Sequence, residues 1–496
     1  MSHRLSKSRY VAGIQCPKIL WMGVNFPDEA AGIDPATRRI FDIGHRIGEH
    51  AQSLFPGGVL VNEPSDNLAS AIRKTGELAG QGVPAIFEAT VDYDKILCRI
   101  DIFKRVRGKK NLWDLYEVKS SNSVNKKKHY PDVAVQKYCC EGAGFPIRKA
   151  FLMHCNREYV RKGEIVPREL LVAEDITEEI EEDLKKVRQN AAGFLRIMAQ
   201  KNEPAIEPGP HCSQPYICAY SDHCNKPGPE YAIGELCRAE KTIAQLEKMG
   251  ITLLKDIPAT VLLSDRNQAF VESVKRKKPV INKAGLHSFL EKLDYPLYHF
   301  DFETVSCAVP LFDNSRPWQN IPFQFSLHVQ KKPCGPCAHH EFLPSDRSDP
   351  RERLIQAMQK HLGDTGSIVA FNQSFEIRCI QSMADDFPKY RKWLLSLIPR
   401  MRDLIVPFRN GHYAHHKMHG SASLKYVLPA LAPKLSYNEL EIQEGTTASL
   451  QAELWYDNQI DGKEWKQVYA ALQEYCKLDT LAMVEILRVL YVVSSN

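Results

Sequence analysis

In the segment YHFDFETVS, Asp301 and Glu303 stand two residues apart within a strand-like alternation. One pleated strand therefore presents both carboxylates on the same face. Further on, SIVAFNQSFEIRCI reads as a short strand ending near Phe371-Asn372 and turning into a helix that carries Glu376. The later segment AALQEYCKLDTLAMVEIL is an amphipathic helix with Tyr475 and Asp479 one turn apart on one face. Four acids drawn from three separate elements repel one another if gathered without cations. With two divalent ions they become a clamp that activates a water and stabilises a leaving oxygen. Tyr475 is then placed to position that water. Solvated acids at strand and helix ends explain any one of these motifs alone, but not three on such elements in this order. Strands alternating with helices predict an α/β class.

The succession D-x-E, N-x-x-F-E, Y-x-x-x-D resembles the DEDD exonucleases of the DnaQ-like, RNase H-fold superfamily, in the tyrosine subclass. The resemblance implies Mg²⁺ or Mn²⁺ held by Asp301, Glu303, Glu376 and Asp479, with cleavage running 3′→5′ on single strands. It departs from the family pattern at Glu376, where Asp is usual. Between the second and third motifs, HYAHHKMHG carries four histidines, Lys425 is a candidate phosphate contact, and Asp403 reads as a structural acid.

A second constellation lies nearer the N-terminus. IFEATVDYDKILCRIDIFKRV alternates around a turn at Asp94-Lys95 and predicts a β-hairpin, followed by a strand in LWDLYEVKSS. Asp101, Glu117 and Lys119 fall on these strands, the last two on one face. Two carboxylates converging there can hold Mg²⁺ or Mn²⁺, with the Val118 carbonyl as a further oxygen donor. Lys119 is then a candidate for orienting water or stabilising phosphate charge. HYPDVAVQKYCCEGAG predicts a helix carrying Gln136. Residues 104–128 contain nine Lys/Arg against two acids, a bias that suits a polyanionic substrate. A solvated hairpin edge blunted by lysines is the plainer explanation of an isolated E-x-K.

The set ID…EVK…Q resembles the RecB-like branch of PD-(D/E)XK nucleases, which implies Asp101, Glu117, Lys119 and Gln136 as its catalytic residues. Gly48 in GHRIGEHA stands where that branch carries a metal-binding histidine. His45, His50 and Glu88 are the candidates to replace it. The helix motif also departs, with Tyr138 two residues after Gln136.

Cys212, Cys218 and Cys224 form a C-x5-C-x5-C run in a Pro-rich loop, and Cys16 is the fourth candidate. Cysteines bracketing a RecB-like core resemble those of the 4Fe-4S nucleases, which implies a cluster stapling the two ends of the domain. Zinc on the same four thiolates is the alternative. The C-G-P-C at 334–337 matches a thioredoxin motif but sits between strand-like segments and reads as a hairpin turn.

The whole chain of 496 residues suggests about three domains. Pro/Gly segments at 203–212 and 225–231 punctuate its middle. The expected division is 1–228, a RecB-like PD-(D/E)XK nuclease domain; 229–290, a small helical linker; and 291–496, an RNase H-like DEDD exonuclease domain. LEKMGITLLKDIP in the linker loosely resembles a helix-hairpin-helix element, and a plain helical spacer is the alternative. With 65 Lys/Arg against 60 Asp/Glu the net charge is only +5. Acids gathered for metal offset bases gathered for phosphate. No phosphate loop and no long apolar run occurs, so neither an ATP-driven motor nor a membrane protein is expected, and a cytoplasmic location is.

The arrangement resembles a largely uncharacterised bacterial family that fuses the two nuclease types. A metal-dependent nuclease is the resulting expectation, with an exonuclease centre in the C-terminal domain and a DNA nuclease centre in the N-terminal one. Its partner would be DNA, single-stranded or with free ends, with RNA also compatible. The alternatives are one live centre beside a DNA clamp, or a non-catalytic nucleic-acid scaffold.

Overall fold

The computed structural model of the chain describes residues 4–32, 34–64, 67–225 and 228–495. Lys226 and Pro227 of the second Pro/Gly segment lie outside the described residues, as do the first three residues. The fold is mixed α/β, with two compact units: Met1–Pro227 with Cys307–Gln319, and Gly228–Ser306 with Asn320–Asn496.

This division differs from the expected one at two places. Residues 229–290 cluster with the C-terminal unit. Val280–Ile281 there pairs with Tyr413–Ala414, the Arg266 guanidinium donates to Gly420 O, and Leu286 and Phe289 enter that unit's core. Residues 307–319 cluster with the N-terminal unit instead. Trp318 Nε1 donates to Ser120 O at 2.6 Å, and Arg161 Nη1 donates to the carbonyls of Pro310 and Leu311 at 2.9 and 2.7 Å. The helix-hairpin-helix-like stretch forms a helix Glu240–Lys248, a left-handed Gly250 and a short turn Leu254–Asp256, with its own small core around Leu246, Leu254 and Phe270.

The N-terminal unit is built on a seven-stranded sheet of β1 (Leu5–Ser6), β2 (Val59–Leu60), β3 (Ala85–Tyr93), β4 (Ile96–Arg105), β5 (Trp113–Lys119), β6 (Ile147–Cys155) and β7 (Leu171–Asp175). The expected hairpin is β3–β4, turning through Asp94 and Lys95, both at positive φ. β5 and β6 are parallel. Parallel neighbours need a long crossover, and the Lys126–Gly142 helix supplies it, packing Val133, Ala134 and Val135 on the sheet.

In the C-terminal unit a two-residue pair, β8 (Val280–Ile281) with β14 (Tyr413–Ala414), flanks a five-stranded sheet. That sheet comprises β9 (Leu297–Val305), β10 (Ile321–Gln330), β11 (Cys337–Phe342), β12 (Ile368–Ala370) and β13 (Met401–Asp403), in the order β11-β10-β9-β12-β13. β9 to β11 form an antiparallel meander, and β12 and β13 add in parallel. Cys334 to Cys337 close the β10–β11 hairpin, so C-G-P-C is a turn, as its flanking strands predict. The long helix Gly462–Ser495 contacts β9 and β10, burying Ala482, Met483, Ile486 and Leu487. Among the described residues no helix is long and apolar enough to cross a membrane.

Candidate functional site

β9 is the central strand of its sheet, and the pleat puts Asp301 and Glu303 on one face. On that face Asp301 lies opposite Ser326 of β10, and Glu303 opposite Gln324. The Gly462–Ser495 helix is tied down over them by polar bonds. Gln324 Nε2 donates to Leu472 O at 2.9 Å, Thr480 Oγ1 lies 2.7 Å from Ser326 Oγ, and Gln473 Nε2 donates to Glu341 Oε1 at 2.6 Å. These bonds fix the rotation of the helix, so that buried Tyr475 and Asp479 turn towards the acids of β9.

Glu376 arrives by a different route. β12 ends at Ala370, and Asn372 takes a left-handed φ of 74°, which Asn tolerates better than most residues. Asp403 holds this turn, its Oδ1 accepting from Asn372 N at 2.8 Å and Ile405 N at 3.2 Å. The Ser374–Asp386 helix then starts with Glu376 in its first turn, where the helix dipole favours an acid. Asp403 is thus the structural acid its position suggests.

Glu303, Glu376 and Asp479 are buried, and Asp301 is half-buried. Burial, followed by Asp479, Glu303 and Glu376, pushes the Asp301 carboxyl well up. Burial with Asp479 and Glu376 does the same to Glu303. Burial pushes Asp479 up to about 7 against the donated hydrogen bonds of Tyr437 and Tyr475, and Glu376 to about 8, with Asp403 adding repulsion and the Arg378 charge opposing it. Among the described residues no lysine or arginine forms an ion pair with any of the four. Asp301, Glu303 and Cys476 each offer a ligand atom within 4.8 Å of the others, and no hydrogen bond reaches Glu376 Oε2. The five residues that the motifs single out are therefore brought together around β9. Tyr437 and Cys476 join them. The first lies in a loop without periodicity, and the second is the immediate neighbour of Tyr475.

The N-terminal constellation also assembles, with a different charge balance. Asp101 Oδ2 accepts from Val118 N at 2.7 Å, joining β4 to β5. Glu117 is buried and receives Gln136 Nε2 at 2.7 Å and Lys119 Nζ at 2.5 Å, and Lys119 also reaches Asp132 Oδ2 at 2.7 Å. A second ammonium enters from an unexpected place. β1 pairs with β4 at Leu5 and Ile96, and Ser6 caps the following helix by accepting from Arg9 N. This delivers Lys7 Nζ to Glu117 at 3.0 and 3.1 Å. Asp132 has a sequence signal in hindsight, being one helical turn before Gln136; Lys7 has none.

Burial alone would raise Glu117, but Lys119 and Lys7 hold its carboxyl well below the usual range. Asp101, pushed up by burial and Glu117, lies at about 7. Of the groups proposed to replace the motif histidine, Glu88 is the one whose carboxyl interacts with Glu117. It interrupts the β3–β4 ladder between the pairs Phe87–Ile102 and Ala89–Ile100, the register position facing Asp101, at a φ of 57°. Non-glycine residues held there carry strain of roughly 1–3 kcal/mol. Burial raises the Glu88 carboxyl, with Glu117 adding to the rise and Arg99, Lys7 and His45 opposing it, whereas burial and Arg46 lower His50.

Cys16, Cys212, Cys218 and Cys224 line one cavity, together with Lys18 and Tyr220. All four are free thiols. Gly209 N donates to Cys212 Sγ and Tyr220 N to Cys218 Sγ, each at 3.4 Å, and amide donors of this kind stabilise thiolate ligands. Four thiols with amide donors are the ligand chemistry of a cubane or of zinc, but no three of these sulfurs lie within 4.8 Å of one another, as three ligands of a single ion would.

A family model described as a domain of unknown function, DUF2779, matches residues 298–423, which include Asp301, Glu303 and Glu376. An uncharacterised protein of Mycoplasma pneumoniae is 28% identical over 235 residues, covering 44% of this chain and 35% of its own length. Its counterpart in Mycoplasma genitalium is 29% identical over 212 residues, 39% of this chain and 32% of its own. A Ureaplasma parvum protein is 26% identical over 266 residues, 49% and 38%. The chain thus spans about a third of the length of the curated relatives it matches. These relatives place it beside an uncharacterised group of bacterial proteins.

Proposed function

We propose that this protein is a metal-dependent nuclease whose principal centre is the carboxylate group around β9. One observation carries the reading. Asp301, Glu303, Glu376 and Asp479 converge from three elements, buried or half-buried, with no ion-paired lysine or arginine among the described residues. Such a group is costly to ionise unless cations compensate it. A bound pair of Mg²⁺ or Mn²⁺ would supply Lewis acidity at both the attacking and the leaving oxygen. The chain's own part is to hold the four carboxylates apart on rigid elements. Tyr475 and Tyr437 fix Asp479 by hydrogen bonds.

Beside this centre a cavity of about 530 Å³ is lined by Lys425, Tyr426, Tyr437 and Asn438. Aromatic faces suit the bases of a single strand, while the Lys425 ammonium is paired there with Glu444 at 3.1 Å. Together with the DEDD-like motif order, these features support a 3′→5′ exonuclease of the RNase H-like kind, acting on DNA or RNA single strands.

The N-terminal unit is the second centre, a RecB-like PD-(D/E)XK nuclease with Asp101, Glu117, Lys119 and Gln136, and with a 4Fe-4S cluster or zinc on its four cysteines. Lys7 favours a variant in which this unit is a DNA clamp, because its ammonium occupies the Glu117 carboxylate. Wild type, Glu117→Ala and Asp301→Ala, assayed with Mg²⁺ or Mn²⁺ on end-labelled single- and double-stranded DNA and RNA, separate these. Loss of distinct activities in the two variants supports two centres. An unchanged Glu117→Ala leaves the clamp, and a wild type that cuts nothing ends the nuclease reading.

A further inference from the structure

Hard oxygen ligands alone select Mg²⁺ or Mn²⁺. The C-terminal centre is not made of oxygen alone. Cys476 follows Tyr475 on the Gly462–Ser495 helix and is fully buried, with Sγ and one carboxylate oxygen each from Asp301 and Glu303 mutually within 4.8 Å. A buried cysteine is most often a small apolar packing residue. Here its surroundings are the acids of β9. A second observation adds to this: Glu376, outside that group of three, is 3% exposed, and its Oε2 is buried without a hydrogen-bond partner. That atom belongs to an acid whose charge acts on both Asp301 and Glu303.

We propose that Cys476 is a sulfur ligand, and that the C-terminal centre therefore takes a thiophilic divalent cation of the zinc class through Asp301, Glu303 and Cys476. Three protein donors of this kind leave one position of a tetrahedron open. On ligation the metal–sulfur bond replaces the S–H bond and the thiol proton passes to water. The same ion occupies two carboxylates that the hydrolytic pair of hard ions needs. Zn²⁺ or Cd²⁺ is consequently an inhibitor that competes with Mn²⁺, and the thiol makes the centre responsive to these metals. This rests on the reading of the β9 acids as a metal centre.

The test uses the full chain as purified, with whatever its N-terminal cysteines hold left in place, and Cd²⁺ as the probe. Cd²⁺ is added stepwise to wild type, Cys476→Ser and Asp301→Asn while thiolate-to-metal charge-transfer absorption is recorded, and Mn²⁺ binding is followed by calorimetry. The expected result is one equivalent of charge-transfer absorption in wild type that is missing from both variants, over the contribution of thiols such as Cys334 and Cys337 common to all three proteins. Cd²⁺ affinity should fall at least about tenfold in Cys476→Ser, with Mn²⁺ affinity within about twofold of wild type. An unchanged band and Cd²⁺ affinity in Cys476→Ser overturns the proposal. Should that variant fail to fold, a band surviving intact in Asp301→Asn overturns it equally. Hydrolysis by wild type without a Cys476-dependent band removes the sulfur ligand and leaves the nuclease reading standing. The band without any hydrolysis does the reverse.

Discussion

Replacing Asp479 by asparagine tests whether the β9 acids are held together at an electrostatic cost that cations relieve. Asp479 is buried, and its carboxyl is pushed from 3.8 to about 7 in the fold, chiefly by burial. An acid raised on folding binds its proton more tightly in the native state. Its contribution to stability is complete below the unfolded value and is lost as pH rises towards the folded one. Between pH 5 and 8 without metal, this carboxyl alone costs about 3 kcal/mol, at about 1.4 kcal/mol for each tenfold change in proton affinity. For a unit of this size that is roughly 6–12 °C in Tm.

The asparagine amide mimics the protonated acid, and its oxygen still accepts from Tyr437. The assay is thermal unfolding at pH 5 and 8, in chelator and in Mn²⁺, reading the transition that Mn²⁺ moves. Wild type should lose stability towards pH 8 in chelator and regain it with Mn²⁺. Asp479→Asn should be the more stable protein at pH 8 in chelator and gain much less from Mn²⁺. A variant that is less stable than wild type in chelator at pH 8, or that gains as much from Mn²⁺, would refute the reasoning.

Three further outcomes follow from the geometry. Lys7→Met removes a cation from Glu117, so Mn²⁺ affinity at the N-terminal centre should rise about tenfold in calorimetry on an Asp301→Asn background, or about 1.4 kcal/mol; no change would show that the ammonium does not compete. Asp403→Ala strips the acceptor from Asn372 N and Ile405 N and should cost about 1–3 kcal/mol and slow the C-terminal centre, whereas Asp403→Asn, which keeps an oxygen there, should retain most of both. Cys218→Ser should abolish visible absorption and bound iron in anaerobically purified protein; zinc without iron in the wild type would replace the cluster by a zinc site.

The two constellations were legible because their chemistry follows local periodicity. The alternation around Asp301-Phe302-Glu303, and the single helical turn from Tyr475 to Asp479, each fix a face without tertiary knowledge. The Asp94-Lys95 turn likewise announced the hairpin that carries Asp101. What the sequence concealed depends on long-range delivery. Lys7 reaches Glu117 only because a two-residue strand docks beside β4, and a strand that short has no readable pattern. Tyr437 reaches Asp479 from an irregular loop. The expected linker boundary at 290 differs from the observed division for a similar reason, since the Val280–Ile281 pairing that joins residues 229–290 to the C-terminal unit spans more than a hundred residues.

If the carboxylates of β9 serve phosphodiester hydrolysis, the product of a single incubation shows it. The product to read is the ladder from a 5′-end-labelled single-stranded oligonucleotide incubated with Mn²⁺ and the full chain, wild type beside Asp301→Ala. Wild type should shorten the substrate progressively from the 3′ end, and the variant should leave it intact. An intact substrate with both proteins, or the same ladder from both, would contradict that role of the carboxylates.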